Sequence, residues 1–311
     1  MRNWFRFLPF ICGLLLWVGS VAHATPSVVI VSSERSPAFV EAAETLVSEL
    51  ERLGVSRFDM LQQTALEFQR DGPGSPKVLV ALGSQAAQAV AKTNPQFPVL
   101  CALLPRNSFE WVLRETGLKS SEQFSALLLD QPLSRQLELI RIALPAAKNV
   151  GVLWGPESKS KEQLFKTLAA TKLLSVVDGH VAGDGLLFPQ LKKVLVDADV
   201  VLAIADQQVF NAQTIQNILL SSFRAKVPLV GFSPAYVRAG ALIALFTTPE
   251  QIGRQSAALA KDVLLGKGLP GTPVYPIHFS VMVNDHVARS LGLNLDEQSL
   301  SARLKSIEKA K

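Results

Sequence analysis

The sequence predicts an α/β fold made of two similar lobes, each with a parallel sheet. Short apolar runs alternate with helical stretches along the chain, which is typical of parallel α/β proteins. The pattern also repeats. The apolar runs that begin at Val28 and Val150 lie 122 positions apart, and so do the segments that begin with Lys77 and Asp199, each followed by an apolar run. Two similar lobes imply a cleft between them, and we expect this cleft to bind a small molecule.

The first 24 residues have the pattern of a cleaved secretory signal peptide. Arg2 and Arg6 supply positive charge, residues 7–21 form an apolar segment, and Ala22-His-Ala24 has the small residues of a cleavage site. The apolar segment is short for a transmembrane span. We therefore predict export and cleavage before Thr25.

The first lobe contains alternating strands and helices. Residues 78–82 are all apolar, so this strand is expected to be covered on both faces. Residues 37–53 have apolar side chains at helical spacing, which predicts an amphipathic helix that ends at Gly54. The other predicted strands are 28–31, 58–61, 99–103 and 124–129, with helices at 84–93 and within 105–121 and a loop at 69–76.

The second lobe repeats this scheme. Its predicted strands are 150–154, 174–177, 200–205, 229–232, 241–246 and 279–283. Its predicted helices are 132–143, 160–171, 187–196, 208–225, 249–265 and 285–291, followed by a polar helix from about residue 296.

Composition and motifs exclude several classes of function. The formal charge of +5 falls to +3 when the signal peptide leaves, and no arginine-rich strip is present, so we expect no nucleic-acid partner. Cys101 is the one cysteine after residue 24, and its apolar surroundings predict a buried thiol. The histidines are scattered, so no metal or cofactor is expected. Glu34, Glu157 and Asp206 follow strands, which keeps an exported hydrolase as an alternative.

Short polar side chains follow the predicted strands at equivalent points of both lobes. Ligands of parallel α/β proteins bind beyond these strand ends, where helix N-termini offer free N–H donors. Ordinary helix caps are the alternative interpretation of each position. Trp154 ends a strand and could either stack on a ligand or pack under a loop. The predicted ligand-binding residues are Ser33, Ser84, Gln85, Trp154, Glu157, Asp206, Gln207, Ser233 and Tyr236.

Several short motifs follow one another in a specific order. They include Asp199-Val-Val-Leu-Ala-Ile-Ala-Asp206, Ala225-Lys-Val-Pro-Leu-Val-Gly231, Gly253-Arg-Gln-Ser-Ala-Ala258 and Ala288-Arg-Ser-Leu-Gly-Leu293. With these motifs the chain resembles the ABC-transporter substrate-binding family that includes tryptophan- and tyrosine-binding proteins. The resemblance implies the type I periplasmic-binding-protein fold. By position, Ser84 and Gln85 match the polar residues at a helix start of the first lobe, and Asp206 matches the aspartate after a second-lobe strand.

The resemblance also implies an organisation and a role. A three-segment hinge is expected near residues 126–131, 246–249 and 277–281. The signal peptide spans residues 1–24, lobe 1 comprises 25–125 plus 247–277, and lobe 2 comprises 126–246 plus 278–311. The implied protein is not an enzyme. It is a periplasmic monomer that captures an amino acid or related carboxylate by hinge closure and delivers it to an ABC permease in the inner membrane. A sensory module that signals to a membrane partner is the alternative.

Overall fold

The computed structural model describes residues 26–72, 74–183 and 185–309. The predicted signal peptide and its cleavage site lie outside these residues. In the described part of the chain, strands alternate with helices and form two separate sheets. This confirms the predicted α/β class with two lobes and mostly parallel sheets. None of the helices in this part has both the length and the apolar character needed to cross a bilayer.

The first lobe is built around a five-stranded parallel sheet. Its strands are β1 (Val28–Ser32), β2 (Met60–Thr64), β3 (Val78–Leu82), β4 (Val99–Leu104) and β5 (Phe124–Leu128), in the spatial order β2-β1-β3-β4-β5. Its helices include α1 (Pro37–Arg52), α2 (Ala65–Asp71), α3 (Ser84–Ala91) and α4 (Arg106–Thr116). Successive residues of the inner strands enter two buried clusters, one on each face of the sheet. The sheet is therefore covered on both sides, as the all-apolar β3 predicted.

The second lobe contains a six-stranded sheet. Its strands are β6 (Asn149–Trp154), β7 (Ser175–His180), β8 (Val200–Leu202), β9 (Leu229–Gly231), β10 (Ile243–Phe246) and β11 (Ser280–Val283), in the order β11-β10-β9-β8-β6-β7. Its helices include α5 (Leu133–Ala143), α6 (Glu162–Ala170), α7 (Leu187–Asp197), α8 (Ile215–Arg224), α9 (Pro234–Ala239), α11 (Asp285–Ser290) and α12 (Glu297–Lys309). The edge strand β11 pairs antiparallel with β10, and the other strand pairs are parallel.

The chain passes between the two sheets three times. The first passage lies between β5 and α5. The second lies between β10 and α10 (Pro249–Leu264), which packs against α1 in the first lobe. The third follows Val274, whose backbone bridges Leu127 of β5, and leads to β11. These passages connect the lobes side by side, so the carboxyl ends of strands from both sheets border one cleft.

The helix α10 lies very close to α1 because Gly253 has no side chain. A Cβ atom at this position would lie 2.4 Å from the carbonyl oxygen of Ala42 and 2.9 Å from Cβ of Thr45. A capping box fixes the start of α10: the Thr248 hydroxyl accepts the Gln251 N–H at 3.1 Å, and the Gln251 side chain accepts the Thr248 N–H at 3.1 Å. The second passage therefore ends in a helix that is firmly attached to the first lobe.

Several elements differ from the sequence prediction. The predicted strand at 58–61 begins at Met60, because Arg57–Asp59 form a turn of 3-10 helix. The predicted helix at 208–225 begins at Ile215. The Asn211 side chain accepts the N–H groups of Gln213 and Thr214, and these bonds hold the preceding segment in turns. The short helices α2 and α9 were not predicted, since six or seven residues carry little periodicity.

Candidate ligand-binding cleft

Two adjoining cavities occupy the cleft between the lobes. The inner cavity has a volume of about 530 Å³ and the outer cavity about 730 Å³. Both are bordered by Pro105, which follows β4, by Ser160 and Ala205 of the second lobe, and by Phe232, which follows β9. Because parallel α/β proteins bind ligands beyond the carboxyl ends of their strands, this cleft is the candidate site.

The inner cavity has a mainly apolar wall with a few polar groups. The apolar residues are Leu129, Leu133, Leu164, Ile204, Phe232, Leu245 and Tyr275. The polar residues are Arg106, Asp130, Gln131, Gln136, Ser160, Lys161 and Ser233. This combination is typical of sites that bury the apolar part of a small molecule and orient it through a small number of polar contacts.

Three charged residues line the inner cavity, and Asp130 contacts the other two. One carboxylate oxygen of Asp130 accepts the backbone N–H of Arg106 at 2.6 Å, and the other lies 3.9 Å from Nζ of Lys161. Arg106 belongs to the first lobe, Lys161 to the second, and Asp130 to the first passage between them. The wall of the inner cavity thus carries two cations and one carboxylate, and it can receive both an anionic and a cationic ligand group.

Arg106 remains cationic in this environment. Its guanidinium lies 5.1 Å from the centre of the Tyr275 ring, and one of its nitrogens lies 3.5 Å from a carboxylate oxygen of Glu110. Burial is the largest single influence and acts to lower the pKa of Arg106. The combined effects of Tyr275 and Glu110 outweigh it, so this pKa lies above its usual value.

Asp206 borders the outer cavity, but its buried carboxylate is used within the second lobe. One oxygen accepts the N–H groups of Glu157 and Ser158 at 3.0 and 2.9 Å and the Ser158 hydroxyl at 2.9 Å. The other accepts the N–H of Gln208 at 3.1 Å. Gly155 permits this approach, since a Cβ there would lie 2.4 Å from the carboxylate. Asp206 thus shapes the loop that follows β6.

The structure brings six of the predicted residues to the cleft. Five border the outer cavity and Ser233 borders the inner one; the five are Ser84, Glu157, Asp206, Gln207 and Tyr236. Burial raises the pKa of Tyr236 to about 12, so its phenol is neutral near pH 7. The Asn107 side chain donates to Glu157 and to the carbonyl of Ala205, each at 3.4 Å, and these bonds join the two lobes across the outer cavity.

The prediction that Trp154 contacts a ligand is wrong. Its side chain is 1% exposed and belongs to a core cluster of the second lobe. Its indole N–H donates to Asp178 at 2.7 Å, and its ring meets Phe165 edge-on. The strand β6 continues through Trp154, and the alternation of side chains along the strand directs this ring into the core instead of the cleft.

Ser33 and Gln85 also lie outside the two cavities. The Ser33 hydroxyl donates to the Leu82 carbonyl at 3.0 Å and accepts the N–H of Ala86 at 3.0 Å. It therefore connects the ends of β1 and β3 and caps α3, which was the alternative interpretation. Gln85 is the second residue of α3 and is exposed on the surface, whereas its neighbour Ser84 borders the outer cavity.

The charged residues of the inner cavity were not predicted. Arg106 begins α4 directly after β4, so the same reasoning from strand ends could have identified it. Asp130 lies in a passage between the lobes, and Lys161 lies in a 3-10 turn before α6. The positions of these two residues depend on how the two lobes pack together, and a local sequence pattern does not predict that packing.

The described residues offer neither a metal centre nor a reactive thiol. Within residues 26–72, 74–183 and 185–309, no group of three or more histidine, cysteine, aspartate or glutamate side chains could hold a metal ion. Cys101 is fully buried, and burial raises the pKa of its thiol, as expected for an unreactive side chain.

Two solved structures share this fold. A ligand-free, open structure of a substrate binding protein with adhesive properties from Clostridium difficile has a TM-score of 0.69 and 19% identity, with 86% of this chain and 95% of that chain covered. A domain from Streptococcus pneumonia in complex with L-Trp has a TM-score of 0.61 and 18% identity, with coverage of 89% and 98%. The expected type I periplasmic-binding-protein fold is confirmed.

The sequence comparisons agree with the fold. A tyrosine-binding protein from Clostridioides difficile (strain R20291) is 22% identical over 294 residues, which cover 88% of this chain and 83% of that protein. Residues 60–306 match the family described as ABC transporter substrate binding protein. The matched family and the structural neighbours are solute-binding proteins and not enzymes. The chain belongs to the ABC transporter substrate-binding protein family.

Proposed function

We propose that this protein captures an amino acid or related carboxylate in the inner cavity and delivers it to an ABC permease in the inner membrane. The observation that carries the proposal is the presence of Arg106, Asp130 and Lys161 in the wall of a mainly apolar cavity between the lobes. The ligand carboxylate contacts Arg106 and Lys161, and its ammonium contacts Asp130. The export signal predicted from the sequence is consistent with a periplasmic location.

The apolar wall favours a ligand with a large apolar side chain. The cavity of about 530 Å³ lies within the range of small-molecule sites, and Phe232 and Tyr275 contribute aromatic surface. Similar proteins are named for tyrosine or contain L-Trp. Aromatic amino acids are therefore the first ligands to test.

The proposed capture step is a hinge closure around the three passages between the lobes. The bounds proposed for the lobes are those predicted from the sequence, 25–125 plus 247–277 and 126–246 plus 278–311. Arg106 lies in the first lobe and Lys161 in the second. A carboxylate that contacts both cations therefore stabilises the closed arrangement over the open one.

The proposal is tested by a thermal-shift screen of residues 25–311 against amino acids, nucleosides, sugars and organic acids. A ligand at ~100 times its Kd adds roughly 2.7 kcal/mol to the free energy of unfolding. For a chain of this size, the melting temperature rises by on the order of 2–4 °C per kcal/mol. We expect hits among amino acids or carboxylates, and calorimetry then gives their Kd.

A matched pair of variants locates the site. Lys161→Met removes the cleft cation and is expected to abolish the thermal shift of a carboxylate hit. Lys193→Met makes the same change on the exposed surface of α7 and is expected to preserve it. A screen in which only sugars or nucleosides bind, or an unchanged shift in Lys161→Met, contradicts the proposal.

A further inference from the structure

The helices α7 and α8 contact each other and cover the same face of the sheet in the second lobe. The side chains that they contribute to the buried cluster on this face are Leu187, Leu191, Val194, Ile215, Ile218 and Leu219. The helices α5, α6 and α12 pack into the cluster on the opposite face of the sheet. The sides of α7 and α8 that point away from the sheet therefore form one outer surface of the protein.

Four large apolar side chains are exposed on this outer surface. Phe188 and Val196 of α7 are 43% and 76% exposed, and Leu220 and Phe223 of α8 are 46% and 55% exposed. Single exposed apolar residues are common on protein surfaces and need no explanation. Four of them on two neighbouring helices form a concentration that points to an interaction.

The same surface carries a group of exposed cations, which are Lys192, Lys193, Arg224 and Lys226. None of them pairs with an acidic side chain in the part of the chain that the structure describes. Asp197 is the exposed acid of α7, and Asp199 accepts the N–H groups of Lys148 and Asn149. These four cations and the four apolar side chains together form a basic-apolar surface with an excess of positive charge.

The cations and the apolar side chains alternate along each helix. Phe188, Lys192 and Val196 follow one another at intervals of four residues and so lie on one side of α7, and Leu220 and Arg224 have the same spacing on α8. Protein interfaces are depleted of lysine and have apolar cores. In contrast, helices that lie on a bilayer combine phenylalanine and leucine with lysine and arginine, because lipids supply both an apolar layer and phosphate anions.

The first lobe has exposed apolar residues in a different electrostatic setting. Phe58 is 98% exposed and Leu66 of α2 is 78% exposed. The neighbouring cations form ion pairs, which are Arg57 with Glu51, Arg35 with Glu67 and Arg70 with Asp71. This part of the surface therefore offers apolar side chains without unpaired positive charge, and it provides a control within the same chain.

We infer that the basic-apolar surface binds an anionic lipid bilayer: its apolar side chains enter the headgroup region and its cations contact the lipid phosphates. Such binding goes beyond the proposed function and does not rest on it, since no residue of the basic-apolar surface borders either cavity of the cleft. Contact with a bilayer raises the concentration of the protein near any partner that is embedded in the membrane.

The test measures sedimentation of residues 25–311 with lipid vesicles in the absence of a small-molecule ligand. Vesicles of equal parts phosphatidylglycerol and phosphatidylcholine are compared with vesicles of phosphatidylcholine alone. We expect the anionic vesicles to bind the wild-type protein at least about tenfold more tightly, the scale of a few surface cations. Binding is expected to weaken in about 1 M NaCl, where the Debye length falls to about 3 Å.

Two double variants with the same change in net charge test the position of the cations. Lys192→Gln with Lys193→Gln is expected to weaken binding to the anionic vesicles by roughly ten- to thirtyfold, the effect of two surface cations. Lys77→Gln with Lys92→Gln removes two exposed and unpaired lysines of the first lobe and is expected to retain the wild-type affinity. An equal loss in both double variants overturns the inference, because net charge alone would then explain the binding.

Substitutions of exposed phenylalanines test the apolar contribution. Phe188→Ser with Phe223→Ser is expected to weaken binding roughly tenfold, because two rings no longer enter the headgroup region. Phe58→Ser is the control in the first lobe and is expected to bind as the wild type does. An unchanged affinity in Phe188→Ser with Phe223→Ser overturns the inference, since the cations alone would then account for it.

The comparison of the two vesicle types is decisive without any variant. Equal binding of the wild-type protein to both, or to neither, overturns the inference. Binding to polyglutamate without binding to anionic vesicles also overturns it and indicates an acidic protein as the partner of this surface. These measurements use no amino acid, so a negative result leaves the proposed function in place, and a failed ligand screen leaves the lipid inference in place.

Discussion

Asp130 is the residue whose charge best distinguishes an amino acid from other carboxylates. Its carboxylate accepts the backbone N–H of Arg106 and lies 3.9 Å from Nζ of Lys161. In the proposed binding mode, the ligand carboxylate is drawn to the two cations of the cavity wall and the ammonium to Asp130. An asparagine side chain can still accept the N–H of Arg106. The substitution Asp130→Asn therefore changes the charge and preserves this structural contact.

We expect Asp130→Asn to weaken the binding of L-tyrosine by roughly ten- to a hundredfold, the equivalent of one charge-assisted hydrogen bond at about 1.5–3 kcal/mol. The deaminated analogue 3-(4-hydroxyphenyl)propionate has no ammonium and is expected to keep or improve its affinity. Calorimetry with both ligands measures the difference, and Asp197→Asn on the surface of α7 is the control. An equal loss for the two ligands would show that Asp130 does not contact the ammonium.

At the residue scale, reasoning from strand ends also predicted part of the lining of the candidate cleft. It identified Ser84, Glu157 and Ser233, because residues just beyond parallel strands are placed by the sheet itself. It failed for Trp154, since the side of a strand end that faces the cleft depends on where the strand stops. Asp130 could not be identified, because its position depends on how the two lobes meet.

Among the elements, the contact between α1 and α10 makes the most definite prediction. Alanine is the better helix former by about 0.8–1.0 kcal/mol, so propensity alone favours Gly253→Ala. The added Cβ would lie 2.4 Å from the Ala42 carbonyl oxygen, and backbone at that distance cannot yield without separating the helices. The steric clash therefore predicts that Gly253→Ala lowers the free energy of unfolding, whereas helix propensity predicts that it raises it.

We expect the steric effect to dominate, so that Gly253→Ala lowers the free energy of unfolding by about 1–3 kcal/mol. Urea denaturation or the melting temperature measures the change. Ala258→Gly, at an exposed position of the same helix, is the control and is expected to be destabilising by about 1 kcal/mol through propensity alone. A Gly253→Ala protein that is more stable than the wild type would mean that the helices separate at little cost.

The elements also show where sequence patterns are informative. The strand β3 and the helix α1 have nearly the predicted bounds, because a fully buried strand and a long amphipathic helix have clear patterns. The helix predicted at 208–225 was too long. In place of its first turns, the Asn211 side chain accepts the Thr214 N–H and the Thr214 hydroxyl donates to the Val209 carbonyl. Such local competition changes the boundaries of an element and leaves its type intact.

At the scale of the whole molecule, one buried cluster connects all three passages between the lobes. Arg135 donates to Gln131 at 2.7 Å and to the carbonyl of Pro276 at 2.9 Å. Gln131 donates in turn to Thr247, which lies in the second passage. Arg135 also pairs with Glu308 of α12 and lies 4.6 Å from the centre of the Phe279 ring. The cluster therefore holds the three passages together at one place.

We expect Arg135→Met to be destabilising by about 1–3 kcal/mol, because it leaves the buried side-chain oxygen of Gln131 without its donor. Urea denaturation measures the change. Arg303→Met, an exposed position of α12, is the control and is expected to stay within ~0.5 kcal/mol of the wild type. A similar stability for both variants would indicate that the passages are held by packing alone.

The two tryptophans beyond the predicted cleavage site differ in their relation to the cleft, and this difference makes closure measurable. Trp111 borders the outer cavity and is 39% exposed, whereas Trp154 is 1% exposed and hydrogen-bonded to Asp178. The proposed closure of the cleft is expected to change the solvent around Trp111 and to leave the environment of Trp154 unaltered. A ligand-induced change in tryptophan fluorescence is thus expected to come from Trp111.

We expect Trp111→Phe to abolish the fluorescence change that L-phenylalanine or a non-aromatic hit produces, and Trp154→Phe to preserve it. Calorimetry on the same variants must show that the ligand still binds. This control distinguishes a Trp111→Phe protein that binds without a fluorescence change from one that no longer binds. Since closure also makes the molecule more compact, small-angle X-ray scattering of the wild type should show a smaller radius of gyration with ligand. A fluorescence change that persists without Trp111 would place the motion inside the second lobe, and closure between the lobes would then not be its cause.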